Sequence, residues 1–323
     1  MYMCSSCVRT CCPLSSPYIS LSLMMMNYEI LFSVGGVSSQ ATLNTVEKHT
    51  GCTDWVSCAP LPSRRAHGGL VSARGKLYSM GGLNGHSRLD TVDVLEPVME
   101  VWSSGPPMTA PRSDFGTVFD GARSIYCVGG MVRNQDVATV DVLDICNNSW
   151  RKGPSLQAPR SFLGAAIVDG VIYAVGGAIG RKRLSWVERL DTNDSYPEWK
   201  EVAGLKIARS RPGVTQLNGR VYAVGGYNGS DYLNSAEYYC PDTNQWALIE
   251  RMANPRNSPA VACFRGRLIV AGGYDGKNML DSVESYDPEQ DRWSNMTSLS
   301  APRCDFTMCT AIVTAVTALG TWL

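Results

Sequence analysis

An all-β propeller of six four-stranded blades is the fold this sequence predicts, and three observations predict it. A Gly-Gly doublet recurs at Gly35-Gly36, Gly81-Gly82, Gly129-Gly130, Gly176-Gly177, Gly225-Gly226 and Gly272-Gly273, at intervals of 46, 48, 47, 49 and 47 residues. A tryptophan follows each doublet by 19 to 22 residues: Trp55, Trp102, Trp150, Trp199, Trp246 and Trp293. Ten residues beyond every tryptophan stands an arginine: Arg65, Arg112, Arg160, Arg209, Arg256 and Arg303. Markers that hold phase through six copies describe one unit repeated, and units of this length stack on one another instead of folding alone.

The fifth repeat shows what one unit contains. A run from Arg209 to Gln216 is followed by Asn218-Gly219, a run from Arg220 to Gly226, a loop over 227–230 and a run from Leu233 to Tyr239. A turn over 241–244 then leads to Gln245–Ile249. Asn-Gly is a tight-hairpin signal, because both central residues must accept positive φ. The runs between turns are strand-length and rich in apolar, β-branched and aromatic residues, so each repeat reads as a four-stranded antiparallel meander. Four strands per unit and six units make a propeller. The glycines end the second strand, where a missing Cβ lets backbones crowd near the central channel. The tryptophan supplies apolar area for the seam between blades, with Phe32, Tyr78, Tyr126, Tyr173, Tyr222 and Ile269 adding to it.

The first repeat begins late, with a second strand from Tyr28 to Gly36, a third over 42–49 and a fourth over 54–58. At the other end Pro302 to Thr310 is a first strand with no repeat after it. Placing that strand in the first blade closes the ring and removes two edges. The expected organisation is a leader over 1–27, the propeller over 28–310 and an apolar tail over 311–323. Blade 1 takes 28–58 plus 303–312, blade 2 takes 65–104, blade 3 takes 112–152, blade 4 takes 160–202, blade 5 takes 209–249 and blade 6 takes 256–296. The leader carries Cys4, Cys7, Cys11 and Cys12 without a nearby histidine, so a disordered segment is expected there before a zinc site. The tail is too short to span a bilayer and reads as a closing strand or an artefactual end.

Lys and Arg total 29 and so do Asp and Glu. A balanced chain does not suit a nucleic-acid backbone or an anionic membrane as main partner. Cys127, Cys240, Cys263, Cys304 and Cys309 share no spacing and read as reduced thiols in a cytoplasmic protein. The sequons at Asn147, Asn193, Asn228 and Asn295 read as turn chemistry, no export signal being evident.

Doublet, acid (Glu47, Asp93, Asp141, Glu188, Glu237, Glu284), tryptophan and Pro-Arg together resemble the kelch repeat. The segments 269–276 and 282–288 are similar to the C-terminal propeller of the BTB–kelch, or kelch-like, family. That resemblance implies recognition of target proteins for a cullin-type ubiquitin ligase, with actin-filament binding as the alternative. The ligase role needs a BTB domain to hold the cullin and a helical BACK domain, and residues before 28 are too few for either. The sequence is therefore expected to be a fragment, or the propeller acts alone or with another subunit.

In the resembling family the residue after the doublet and the Pro-Arg arginine lie near one face and contact partner peptides. By position these are Val37, Leu83, Met131, Ala178, Tyr227 and Tyr274, with Arg65, Arg112, Arg160, Arg209, Arg256 and Arg303. Only Tyr227 and Tyr274 fit the family's preference for Tyr or Arg after the doublet, so a pocket is expected to be strongest near blades 5 and 6. The recurring arginines either pair with the recurring acids or serve a ligand, and both readings stay open. Loops that differ between repeats add Asn84-Gly85-His86, Arg88, Arg133 and Arg181-Lys182-Arg183, which would make one face basic. A basic face suits an acidic or phosphorylated peptide, because guanidinium forks match carboxylate and phosphate oxygens. Some kelch-type propellers are metalloenzymes, galactose oxidase among them. Here His49, His67 and His86 all lie in the first quarter, so neither a copper site fed by several blades nor a Ser–His–Asp arrangement is supported. No phosphate-cradling loop precedes a helix start. No cofactor and no metal are expected, and no catalysis.

Overall fold

Each repeat folds back where its sequence leaves the strand state. In blade 5 Asn218 and Gly219 sit at φ 51° and 72° and join Gly213–Leu217 to Arg220–Val224, with Leu217 opposite Arg220. Arg74-Gly75, Asp169-Gly170 and Arg265-Gly266 make the same left-handed turn in blades 2, 4 and 6. The computed structural model describes residues 22–39, 41–51 and 54–319, and among them there are strands and connections but no helix.

Six four-stranded antiparallel sheets result. Blade 2 comprises Gly69–Ala73, Lys76–Met80, Val92–Glu96 and Val101–Ser104, and blade 3 comprises Gly116–Phe119, Ser124–Val128, Val140–Asp144 and Ser149–Gly153. Blade 4 comprises Gly164–Val168, Val171–Val175, Val187–Asp191 and Lys200–Val202. Blade 5 adds Ala236–Cys240 and Gln245–Ile249 to the pair above, and blade 6 comprises Ala260–Phe264, Arg267–Ala271, Val283–Asp287 and Arg292–Met296. In blade 1 the strands Val56–Ser57, Val46–His49 and Ser22–Val34 are completed by the C-terminal strand Thr307–Leu319. The ring therefore closes as expected. The closing pair is longer than the sequence suggested, running from Ser22 opposite Leu319 to Val34 opposite Thr307. Residues 1–21 of the leader, with Cys4, Cys7, Cys11 and Cys12, and tail residues 320–323 lie outside the described residues.

Six apolar clusters fill the seams, each drawing on two neighbouring blades. The tryptophans fasten these seams by hydrogen bonds as well as area. Each indole Nε1 donates to a carbonyl at the end of the preceding repeat, at 2.8–3.1 Å: Thr297 for Trp55, Ala59 for Trp102, Pro106 for Trp150, Pro154 for Trp199, Ala203 for Trp246 and Glu250 for Trp293. A buried indole that lacked such an acceptor would lose part of what its area contributes.

The doublets crowd the seam and not the channel as expected from sequence. The N–H of Gly177 donates to the carbonyl of Arg209 in the next blade, and a Cβ on Gly176 would stand 2.6 Å from that same oxygen. Only glycine, at φ 60°, admits the contact. A second glycine set, missed in the sequence, serves the channel. Gly69, Gly116, Gly164 and Gly213 open the innermost strands, four residues after the recurring arginines, and a Cβ on Gly116 would lie 2.6 Å from the Cβ of Ala165.

Candidate partner-binding face

The two loops that precede and follow each pair of inner strands meet on one face of the ring. The residue after each doublet bridges the residue after each recurring arginine: Val37 with Cys304, Leu83 with Ala66, Met131 with Ser113, Ala178 with Ser161, Tyr227 with Ser210 and Tyr274 with Asn257. Every candidate partner residue thus comes from loops at this face, but the six arginines do not reach its surface.

Arg65, Arg112, Arg160, Arg209, Arg256 and Arg303 are between 0% and 3% exposed. Each pairs with the recurring acid of its own blade: Asp93, Asp141, Glu188, Glu237, Glu284 and Glu47 in turn. In blades 2 to 6 the same guanidinium also donates to the carbonyl of the first doublet glycine, as Arg209 does to Gly225 at 2.8 Å. The acid's second oxygen reaches back to the preceding linker, as Glu237 accepts from the Lys206 N–H at 2.7 Å. Burial pushes the Arg160 guanidinium down to about 10, which still leaves it charged at neutral pH. These guanidinium groups are held by seam partners, as in the acid-pairing one of the two readings above, and Arg303 also lines a cavity between the loops of blades 6 and 1.

What remains is arranged as a circuit of loops. Blades 2, 3 and 4 carry small hairpins there: Leu83–Asn84 with Ser87–Arg88, Met131–Val132 with Gln135–Asp136, and Ala178–Ile179 with Lys182–Arg183. From blade 1 to blade 6 each loop touches the next. The Gly85 N–H donates to Thr42 Oγ1 of blade 1, Arg88 donates to Asn134 Oδ1 of blade 3, and Asp136 accepts from the Gly180 N–H of blade 4. The Arg183 guanidinium lies over the Tyr227 ring at 5.3 Å, Tyr227 packs on Tyr232 at 5.2 Å, and Tyr232 meets Tyr274 of blade 6 edge-on at 5.5 Å. Arg133 and Arg181 are exposed, while Arg183, Tyr227 and Tyr274 are half-buried. Among the described residues no carboxylate stands within 4 Å of Arg133, Arg181, Lys182 or Arg183.

Inside this circuit lies a ring that sequence reasoning missed. Two residues after each recurring arginine come His67, Asp114, Phe162, Arg211, Ser258 and Asp305, all left-handed at φ 53–58°. Their backbones link around the channel mouth: Asp114 donates to His67, Phe162 to Asp114, Arg211 to Phe162, Asp305 to Ser258 and His67 to Asp305. Six non-glycine residues in that region at one place is stored strain at a structural focus. A cavity of about 110 Å³ lies among these side chains. The signal was present as a fixed offset, yet the residue type changes in every repeat, so no pattern of identity marked it.

His67 Nδ1 stands 2.8 Å from Asp114 Oδ1 and 3.3 Å from Asp305 Oδ1, and Arg211 Nη1 stands 3.8 Å from Asp305 Oδ1. Burial alone would lower the His67 pKa, but the hydrogen bond to Asp114 and the charges of Asp305 and Asp114 outweigh it and leave it raised. A raised histidine stabilises the fold fully below its ordinary 6.5 and loses that contribution as pH rises through the folded value. His67→Gln is therefore expected to lower stability at pH 6 by about 1.5–3 kcal/mol, the range for a hydrogen bond to a charged group. The deficit should shrink steadily towards pH 9. Urea unfolding of both proteins across that range checks it, and a deficit independent of pH would refute the ionic role.

Among the described residues there is no group of three or more His, Cys, Asp or Glu side chains disposed to hold a metal ion, and no helix is long and apolar enough to cross a membrane. The thiols of Cys127 and Cys309 are pushed up to about 12 by burial, which makes them inert as nucleophiles near neutral pH.

Comparison with known proteins adds four likenesses. A family model described as the KLHDC2/KLHL20/DRC7 Kelch-repeats domain matches residues 117–318, and one described as the Kelch motif matches residues 64–109. Human Kelch-like protein 33 is 34% identical over 73 residues, which cover 23% of this chain and 14% of that protein. The solved structure of YjhT has a TM-score of 0.69 at 13% identity, covering 82% of this chain and 96% of that one, and this likeness concerns the fold alone.

Proposed function

The chain belongs to the kelch-repeat family, and from that premise we propose that it recognises target proteins for a cullin-type ubiquitin ligase, gripping an acidic or phosphorylated segment on its loop face. One observation carries the choice of ligand. Arg133, Arg181, Lys182 and Arg183 lie on adjacent hairpins of the face, and among the described residues none of the four has a carboxylate within 4 Å of its cationic group, the nearby Asp136 being engaged with Ser161 and the Gly180 N–H. Cations left in this state on a balanced chain favour an anionic partner, and guanidinium groups favour the planar or tetrahedral oxygen sets of carboxylate and phosphate. Placement of these groups on short hairpins braced by their neighbours limits the backbone ordering that binding would otherwise cost.

The test uses Arg181→Glu with Arg183→Glu in the full chain. Fluorescein-labelled Glu-rich and phosphoserine peptides are expected to bind the parent in polarisation assays at low ionic strength. The double variant should bind at least 100-fold more weakly, since two attractions become two repulsions. Unchanged affinity would refute the acidic-ligand reading. For the ligase role, a fusion that supplies BTB and BACK domains should co-purify with a cullin. Co-sedimentation with filamentous actin in place of that would move the assignment to the cytoskeleton.

A further inference from the structure

The loop circuit changes character at one junction. From blade 1 round to blade 6 successive loops are joined by a hydrogen bond or by ring contact. Between the loops of blade 6 and blade 1 a cavity of about 650 Å³ opens instead. That is the volume of a ligand-binding pocket, far beyond what a few ordered waters need. Its walls are mixed. Leu43, Met279, Ala301, Pro302 and Tyr274 supply apolar surface, while serine, threonine and asparagine side chains, the exposed Lys277 and the buried, Glu47-paired Arg303 supply polar groups.

Tyr274 gives this cavity its connection to the basic sector. It ends the series in which Arg183 covers Tyr227, Tyr227 packs on Tyr232 and Tyr232 meets Tyr274. The basic sector, the tyrosine series and the cavity therefore form one path across blades 4, 5, 6 and 1. Tyr232 remains 37% exposed, so the path is open to a chain laid along it. Tyrosine surfaces of this sort give large contact area at low entropy cost. Lys277 stands at the far end, where its backbone N–H donates to Asp275 Oδ1 at 2.7 Å, so the lip of the cavity carries one charge of each sign.

We propose that the cavity between blades 6 and 1 seats a bulky apolar side chain, an aromatic above all, carried by the same acidic peptide that the basic sector binds. The partner motif is thus bipartite: anionic residues over blades 3 and 4, a spacer along the tyrosines, and an aromatic anchor in the cavity. This rests on the acidic-ligand reading above and sharpens it. The anchor supplies affinity by burial and the anionic half supplies orientation, the usual division between hot spot and rim.

Fluorescein-labelled peptides with four glutamates, a Gly-Ser spacer of graded length and either Phe or Ala at the end test it on the full chain. The Phe peptide of best spacer length is expected to bind at least tenfold more tightly than its Ala counterpart. Ala301→Trp, which fills the cavity, should erase that gain and leave the Ala peptide unaffected. Because Ala301→Trp can disturb folding, Ser39→Cys blocked after folding with a bulky maleimide provides a second obstruction, with the parent protein treated alike. Equal affinity of the Phe and Ala peptides, or a gain that survives both obstructions, overturns the anchor site while leaving the acidic reading intact. Failure of both peptides to bind overturns the two together.

Discussion

Arg209→Met is expected to destabilise the propeller by about 3–5 kcal/mol, the penalty for breaking a buried ion pair by removing one partner. Arg209 and Glu237 are both fully buried and stand 2.6 Å apart. The guanidinium also donates to the carbonyls of Gly225 at 2.8 Å and Ser235 at 3.0 Å. Methionine fills much of the volume but leaves a carboxylate and two carbonyl oxygens without these donors in a site closed to water. Arg209→Met with Glu237→Leu should recover part of the loss, because the uncompensated charge is gone. Arg211→Ala, two residues away, is the control. Its guanidinium is a third exposed and 3.8 Å from Asp305, so it should cost no more than about 1 kcal/mol. Chemical denaturation of the four proteins decides the matter. A loss below about 1 kcal/mol for Arg209→Met would show that the recurring arginine is not a seam element.

The same residue shows where sequence reading ends. Position and period announced the arginines, and from them the fold followed. A residue that recurs in all six units answers to what the units share, and units share seams. Arg209 is legible as important, but its burial is a property of three dimensions: Glu237 lies 28 residues away and Gly225 lies 16 away, and the fold alone brings them onto one guanidinium. The sequence left both an acid pair and a ligand open for this residue, and the fold supplies the acid pair. The opposite case is His67. Its ring equivalents are Asp114, Phe162, Arg211, Ser258 and Asp305, so six positions carry five different side chains on one backbone conformation. Repetition hides such positions because identity changes while φ does not. Tyr227 and Tyr274 fall between these cases. Their offset from the doublet marked them, whereas their link through Tyr232 depends on loop geometry that spacing does not encode.

Deleting residues 300–323 is expected to abolish cooperative unfolding altogether, a larger effect than any point substitution above. The deletion removes the innermost strand of blade 1, Thr307–Leu319, and with it Phe306, Met308 and Val313, which are 5%, 7% and 8% exposed. At about 1.5–3 kcal/mol for each large apolar side chain, these three alone contribute about 5–9 kcal/mol. That matches the whole stability of an ordinary domain, about 5–15 kcal/mol. Loss of Arg303 also strands Glu47, 2.6 Å away and buried, and frees the backbone of Leu31 to Val34 as an open edge. His67 would lose Asp305, so the ring at the channel mouth opens at the same point. Tryptophan emission followed through a urea titration is the measurement, with Trp55 and Trp102 packed in the two seams on either side of blade 1. A sharp transition at the parental midpoint would mean that five complete blades hold the ring without its sixth, and that the closing strand adds nothing to the fold. The sharing of blade 1 between the two ends of the chain argues against it: neither end contains a whole blade, so neither can bury its inner face until the other arrives.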